Sequence, residues 1–127
     1  MKRLWISVGL LLLLGALAWL HVARLTALTE EFTGLLAQVN EALEQEDWDR
    51  AAKAAADMDA RWERQAFYLH TTLHHEDIDA IRASIKEMRA YLASREDAAE
   101  CLAVNARLIN QLELLVEAEL PSLKNIL

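Results

Sequence analysis

The sequence predicts an all-α protein, in which an N-terminal transmembrane helix continues into an antiparallel four-helix bundle or two stacked helical hairpins. Leu4–Ala23 is an apolar run without a charged residue. No glycine or proline occurs between Gly34 and Pro121, and their absence disfavours the turns that sheets and long loops need. In four stretches apolar residues recur at spacings of three and four, the period of one helix face.

The run Leu4–Ala23 has the length of a membrane-spanning helix. At about 1.5 Å per residue it reaches about 30 Å, the thickness of a hydrocarbon core. Lys2 and Arg3 precede the run, whereas Arg24 alone follows it closely. This excess of basic residues predicts a cytoplasmic N-terminus and an extracytoplasmic C-terminal domain in a single-pass protein of the cell membrane. We therefore expect a lipid bilayer around residues 4–23.

A cleaved signal peptide is the alternative interpretation of the same segment. Ala16-Leu17-Ala18 matches the A-x-A pattern that precedes a cleavage site. Apolar character continues beyond Ala18 to Ala23, which favours a retained anchor. Both interpretations place the rest of the chain outside the cytoplasm. The sequence thus divides into an anchor, residues 1–24, and an acidic helical domain, residues 25–127.

The domain after the anchor is strongly acidic. The chain has 13 basic and 20 acidic residues. Lys2, Arg3 and Arg24 belong to the anchor, so ten basic against twenty acidic residues give the domain a charge of −10. Such a domain repels nucleic acids and anionic lipid headgroups, which excludes nucleic acid as a partner. Cys101 is the single cysteine, and its apolar helical surroundings predict a buried thiol rather than a disulfide.

The first two helices have clear predicted limits. One continuous helix is expected from about Leu4 to Glu46, with any bend near Thr26–Thr29. Asp47 is the predicted N-cap of a second helix that runs from Trp48 to about His74. The predicted buried face of the first helix in the domain comprises Leu25, Leu28, Phe32, Leu35, Val39 and Ala42. That of the second comprises Trp48, Ala51, Ala52, Ala55, Met58, Trp62, Ala66, Leu69 and Leu73.

The third and fourth helices follow from two further capping signals. Asp77 is the predicted N-cap of the third helix, and the pattern Ser94-x-x-Asp97 resembles a capping box for the fourth. Pro121 is expected to end or kink the fourth helix. The predicted buried face of the third helix comprises Ile78, Ile81, Ile85, Met88 and Leu92. That of the fourth comprises Leu102, Asn105, Ile109, Leu112, Val116 and Leu120, widened by Leu108 and Leu115.

Several short motifs along the chain resemble one bacterial family. They are the basic N-terminus with its single apolar helix, the corner Glu46–Ala51 (EDWDRA), Trp62, His75-Glu76 before Ile78, Tyr91-Leu92 and the terminal Ser122–Leu127. The pattern resembles DUF4363, a family of unknown function, over essentially the full chain. The resemblance implies a membrane-anchored helical protein of a Gram-positive, often spore-forming bacterium, and it implies no activity. Members carry Gly-Asp-Trp at the first corner, so Glu46 here predicts a tighter, more helical corner.

A cluster of histidines offers a candidate metal site. His70 and His74 are four residues apart on one helix, and His75 and Glu76 follow at the corner. Imidazole and carboxylate groups are zinc ligands, so these four residues, with Asp77 as an alternative carboxylate, are the candidate metal ligands. The competing interpretation is a solvated helix end, where imidazoles suit the last carbonyls and carboxylates suit the next helix start. A pH-sensing corner is the third interpretation.

Other candidate residues point to interactions rather than catalysis. Trp48 and Trp62 are either core residues or contacts for a partner, and the apolar tail offers Leu123, Ile126 and Leu127 as further contacts. Asn105 lies on an apolar face as either a satisfied buried amide or a contact that sets helix register. The carboxylates around Glu46–Asp49 suggest a hydrolase of envelope material, but their spread around two helix ends favours a solvated rim.

The sequence therefore predicts a non-enzymatic protein without a cofactor. No nucleophile and base at a recognisable spacing, glycine-rich phosphate loop or cofactor fingerprint is present. Striped helices and an apolar tail favour binding of another membrane or envelope protein, or pairing between two copies of this chain. The alternative hypothesis is a metal- or pH-responsive sensor that uses the corner of His70, His74 and His75.

Overall fold

A computed structural model describes the backbone of residues 1–126 and the side chains of residues 1–119. Four helices account for nearly all of this part of the chain, which contains no strand. They are α1 (Lys2–Glu44), α2 (Trp48–Thr72), α3 (His75–Ser94) and α4 (Ala98–Ile126). The predicted all-α class is confirmed.

The four helices form a closed ring in which consecutive helices run in opposite directions. Within the described part of the chain, α1 packs against α2 and α4, and α3 packs against the same two helices, with no diagonal contact. The connections are the short segments 45–47, 73–74 and 95–97, and connections of this length place successive helices side by side and antiparallel. The structure is therefore the antiparallel four-helix bundle.

The buried faces largely coincide with the predicted ones. All five predicted residues of α3 are buried, as are those of α1 apart from the half-buried Leu28. In α2, Ala52 is exposed and Ala54 is buried instead. In α4 the face is centred on Cys101, Val104, Leu108, Leu112 and Leu115, whereas Leu102, Ile109 and Val116 lie at its edges. The buried face of α4 is thus centred nearer to Leu108 and Leu115, which were expected only to widen it.

Helix α1 is a single unbroken helix of 43 residues, about 65 Å long at 1.5 Å per residue. It runs through Thr26–Thr29 without interruption, as predicted. Among the described helices, it alone is long and apolar enough to cross a membrane, and no residue of its most apolar 18-residue window is buried. Its length and composition are compatible with a membrane anchor, because a core helix would bury this stretch.

The corner between α1 and α2 closes the first helix with left-handed backbone. Glu46 has a φ of 56°, its N–H donates to the Leu43 carbonyl at 3.1 Å, and the Asp47 N–H donates to the Ala42 carbonyl at 2.8 Å. These two bonds form a Schellman motif, in which the left-handed residue is usually glycine. The expectation of a more helical corner was wrong, because Glu46 adopts the left-handed conformation that usually favours glycine.

The other helix ends confirm some of the predicted caps and correct others. The side chain of Asp47 accepts from the Arg50 N–H at 3.2 Å, as predicted. Asp97 caps α4 by accepting from the Glu100 N–H at 3.2 Å, whereas Ser94 is the last residue of α3. The prediction for Asp77 was wrong, because α3 begins at His75 and Asp77 lies in its first turn, where the helix dipole favours a carboxylate.

The fourth helix continues past its proline. Helix α4 extends to Ile126 and therefore includes Pro121. Of the two predicted effects of Pro121, the helix end is wrong and the kink stays a prediction. A proline inside a helix removes one backbone hydrogen bond. The residues on both sides of Pro121 keep their helical conformation, so the loss of this one hydrogen bond does not end α4.

Candidate functional site at the anchor end of the bundle

A polar cluster of three residues joins three helices at the anchor end, the end of the bundle that the apolar part of α1 enters. His21 Nδ1 lies 2.7 Å from the Tyr68 hydroxyl, and His21 Nε2 lies 3.4 Å from a Glu119 carboxylate oxygen. A neutral imidazole carries one N–H. When the Tyr68 hydroxyl donates to Nδ1, the N–H on Nε2 faces the Glu119 carboxylate, and each polar group has a partner.

Arg24 closes the same cluster from one turn further along α1. Its guanidinium carbon lies 3.8 Å from the centre of the Tyr68 ring, a cation–π geometry, and its Nη2 donates to Gln65 at 3.2 Å. Burial raises the pKa of Tyr68, the Arg24 charge opposes this rise and the Glu119 charge adds to it. The hydroxyl therefore stays protonated and available as a donor to His21.

The histidine corner lies at this end too, but it does not assemble the predicted ligand set. His70 Nδ1 and His75 Nδ1 are 3.1 Å apart, whereas His74 and Glu76 are exposed. Among the side chains of residues 1–119, no three His, Cys, Asp or Glu groups converge in a geometry that could hold a metal ion. Two imidazoles fall short of the three or four protein ligands that zinc sites use.

A groove between α3 and α4 lies at the anchor end. It has a volume of about 470 Å³. Its residues are small or apolar along the floor and acidic at the rim: Asp77, Ala80, Ile81, Gln111, Leu114, Leu115, Glu117 and Ala118. Gln111 is held there because the buried Ser84 hydroxyl donates to its Oε1 at 2.9 Å. We call this surface the α3–α4 groove.

Two large apolar side chains of the bundle remain exposed between residues 21 and 119. Leu114, in the α3–α4 groove, is 51% exposed, and Phe67 on α2 is 83% exposed. Both lie in the half of the bundle nearest the anchor end. Phe67 is the neighbour in sequence of Tyr68, but its ring points away from the bundle.

The predicted interaction residues occupy different environments. Trp62 is 1% exposed, and its ring centre lies 5.4 Å from that of Phe32, so it is a core residue between α1 and α2. Trp48 is half-buried and packs against the core at the far end of the bundle. The side chains of Leu123 and Ile126, and the whole of Leu127, lie outside the described residues.

The acidic residues near the first corner have structural partners. Asp47 caps α2, Arg50 approaches Glu41 to 3.5 Å, and Arg95 pairs with Asp49. These carboxylates surround the end of one helix and the start of the next rather than lining a pocket. The arrangement fits a solvated rim with capping and ion-pairing roles.

Sequence reasoning missed the residues whose role depends on contacts between distant segments. Tyr68 is 47 residues from His21, and nothing in the local sequence of either residue indicates the contact. Glu119 is one of several carboxylates on α4 without a distinguishing pattern. The exposure of Phe67 could have been predicted from the sequence. Phe67 does not belong to the predicted buried face of α2, which includes Ala66 and Leu69.

Comparison with known proteins identifies a family without a known activity. A family model described as a domain of unknown function, DUF4363, matches residues 19–126, which confirms the resemblance found in the sequence motifs. The matched region contains the whole bundle and its anchor-end cluster. No curated protein and no solved structure matches the chain.

Proposed function

The chain belongs to the DUF4363 family, whose description assigns no activity, and we propose that it is a non-enzymatic, single-pass membrane protein whose bundle binds another membrane protein. The apolar part of α1 is the proposed anchor, with the N-terminus cytoplasmic and the bundle extracytoplasmic. The excess of Lys2 and Arg3 before the apolar run supports this orientation. The partner would be a protein of the same membrane or of the envelope.

The α3–α4 groove is the observation that carries this proposal. An exposed leucine in a soluble bundle is unremarkable alone, but Leu114 borders a groove with a floor of small and aliphatic side chains. Alanines at positions 80 and 118 allow another helix to approach closely, as small residues do at helix interfaces. The groove therefore suits an amphipathic helix laid along it.

Charge at the rim specifies the chemistry of the partner helix. Asp77 from α3 and Glu117 from α4 border the groove. A partner with an apolar face flanked by lysine or arginine would satisfy both carboxylates, and like charges would be rejected. Because the groove lies near the anchor end, a helix that has just emerged from the membrane is the partner segment we infer.

Site-specific photo-crosslinking in the native membrane tests this proposal. A photoreactive amino acid at Leu114 should yield a discrete adduct with one membrane protein. The control position is Ala103, which is exposed on the same face of α4 but about 16 Å further from the anchor end. It should yield no such adduct.

Charge reversal supplies the second part of the test. Glu117→Lys should abolish the Leu114 adduct, because it places a cation against the basic partner. Glu113→Lys, the same change at an exposed position outside the groove, should leave the adduct intact. Absence of an adduct at Leu114, or an adduct between two copies of this chain, would contradict the proposal of a different membrane protein in the groove.

A further inference from the structure

The α3–α4 groove has a different chemistry at each of its two ends. Ser84 of α3 contacts Gln111 of α4, and the two helices run in opposite directions from this contact. The register therefore places Asp77, seven residues before Ser84, opposite Ala118, seven residues after Gln111. Seven residues of helix span about 10 Å. The groove thus has the carboxylates of Asp77 and Glu117 at its anchor end and an amide about two helical turns away.

The amide of Gln111 is held in one orientation. The Ser84 hydroxyl is buried, with 4% of the residue exposed, and it donates to Gln111 Oε1 at 2.9 Å. The oxygen and the nitrogen of an amide group are bonded to the same carbon, so Nε2 is directed away from Ser84 and towards the groove that Gln111 lines. No described residue accepts a hydrogen bond from Nε2. This donor therefore faces solvent when the groove is empty.

Ser84 is a polar residue within an otherwise apolar buried face of α3. Its neighbours on that face are Ile81, Ile85 and Met88. Burial of a hydroxyl group costs free energy unless the hydroxyl forms a hydrogen bond, whereas an alanine at this position would need no partner. Among the described residues, the partner of this hydroxyl is the Gln111 amide. The serine therefore orients the amide, which an alanine could not do.

We propose that Gln111 is a specificity-determining residue of the α3–α4 groove, and that it selects a partner helix with a neutral side-chain oxygen opposite Nε2. The inference rests on the function proposed above. A helix laid over Nε2 removes this donor from water, and a donor that loses water without gaining an acceptor lowers the affinity. Serine, threonine, asparagine and glutamine supply a neutral oxygen. Aspartate and glutamate are disfavoured, because the carboxylates at the groove rim repel them.

The groove also predicts the order of contacts along the partner helix. Leu114 lies three residues from Gln111 and three residues from Glu117. A helix along the groove should therefore present the neutral oxygen, then an apolar side chain three or four residues away, then a lysine or arginine three or four residues further on. Such spacings lie on one face of a helix. The basic residue faces Asp77 and Glu117 at the anchor end, so it is the contact nearest the membrane.

Photo-crosslinking from position 114 in the native membrane tests this selection. Gln111→Glu keeps the shape of the side chain and an acceptor for Ser84, but it replaces the amide N–H donors by an oxygen. The yield of the Leu114 adduct, relative to the amount of the chain in the membrane, should fall at least about fivefold, the effect of one unsatisfied hydrogen bond. Asn110→Asp makes the same chemical change at an exposed position outside the groove. This matched control should keep the adduct.

Ser84→Ala tests whether Ser84 acts through the amide. The variant should lower the adduct yield less than Gln111→Glu does, because the amide of Gln111 remains and is free to turn. When it is combined with Gln111→Glu, it should cause no further loss, since the donor that Ser84 orients is already absent. A further loss in the double variant would show that Ser84 serves the packing of the bundle, and would refute its positioning role.

The cross-linked segment of the partner, identified by mass spectrometry, supplies the last comparison. It should contain the neutral oxygen, the apolar residue and the basic residue at the spacings given above. A segment without such an oxygen would overturn the inference, as would an adduct that Gln111→Glu leaves unchanged. If the chain with unaltered Gln111 gave no adduct from position 114, the proposed function would be refuted, and this inference with it.

Discussion

Asn105 is a buried polar residue in the seam between α1 and α4. Its side chain has no exposed area, and its Nδ2 donates to Asn40 Oδ1 at 2.7 Å. Its own Oδ1 accepts no hydrogen bond from any described residue. A buried acceptor without a donor costs stability. The pair nevertheless fixes how α1 and α4 align, because any shift in register would leave both amide groups of Asn105 unpaired.

Replacing this amide with an apolar side chain should stabilise the bundle. We expect Asn105→Leu to raise the free energy of unfolding by about 1 kcal/mol, since the unsatisfied acceptor disappears and the half-buried Asn40 can bond to water. Urea unfolding in detergent measures the change. Asn110→Leu, at an exposed position of the same helix, is the control and should change it by less than about 0.5 kcal/mol. A loss of stability in Asn105→Leu would contradict this account.

At the end of α1, Glu46 adopts a backbone conformation that residues with a Cβ atom disfavour. Glu46 occupies the left-handed position of a Schellman motif with a φ of 56°. For a residue with a Cβ this conformation costs roughly 1–2 kcal/mol. Two backbone bonds and the cap by Asp47 compensate, so that α2 starts immediately after the corner.

Glycine at this position should relieve the strain. Glu46→Gly should raise the free energy of unfolding by up to about 1 kcal/mol, because the gain in the folded state exceeds the added entropy of the unfolded chain. Glu44→Gly, two residues earlier and at the last residue of α1, should lower it by up to about 1 kcal/mol. Thermal unfolding of the two variants beside the parent protein distinguishes them, and equal destabilisation would refute the argument.

Sequence periodicity was sufficient to predict the four helices, because each buried face repeats every three or four residues. It could not locate the first residue of α3, where Glu76, Asp77 and Asp79 all suit a helix start and His74 takes the cap position. It also left open whether α4 ends or only kinks at Pro121, and the helix continues because the cost of one proline does not exceed the tendency of the neighbouring residues to stay helical. The anchor-end cluster needs the register of three helices at once, so Tyr68 and Glu119 were not predictable.

At the scale of the whole molecule, the core provides stability and the surface ion pairs bridge the seams. Arg61–Glu31, Arg89–Asp59 and Arg107–Glu87 each join a different pair of neighbouring helices. Each exposed pair of this kind contributes little to stability.

Ionisation of the buried thiol of Cys101 has a larger effect on stability. Cys101 in α4 is buried among apolar side chains, and burial raises its pKa to about 11.

The stability of the whole bundle should therefore decline in alkaline solution. The folded state holds the Cys101 proton more tightly than the unfolded state, whose thiol has a pKa of 9.0. The free energy of unfolding is thus unaffected by this group below pH 9 and falls as the pH rises from 9 to about 11. Denaturant unfolding at successive pH values measures the fall.

Cys101→Ala should remove the decline between pH 9 and pH 10, whatever its effect at neutral pH. A further fall above pH 10 should persist in this variant, because the raised pKa of Tyr68 makes the folded state hold that proton too. If the parent protein and the variant had the same slope between pH 9 and pH 10, the burial of the thiol would not be the cause.

Helix α1 is unbroken, so its apolar segment and the bundle move together. Its 43 residues form about twelve turns without a hinge between the apolar segment and the bundle, so a tilt of the apolar segment moves the far corner as a lever. From Ala23 to Glu44 the arm is about 31 Å, and a change of about 10° in tilt displaces the corner by about 5 Å. Helices tilt when a bilayer thins. Under the proposed anchoring, the position of Trp48 relative to the membrane would then report the thickness of the bilayer around Leu4–Ala23.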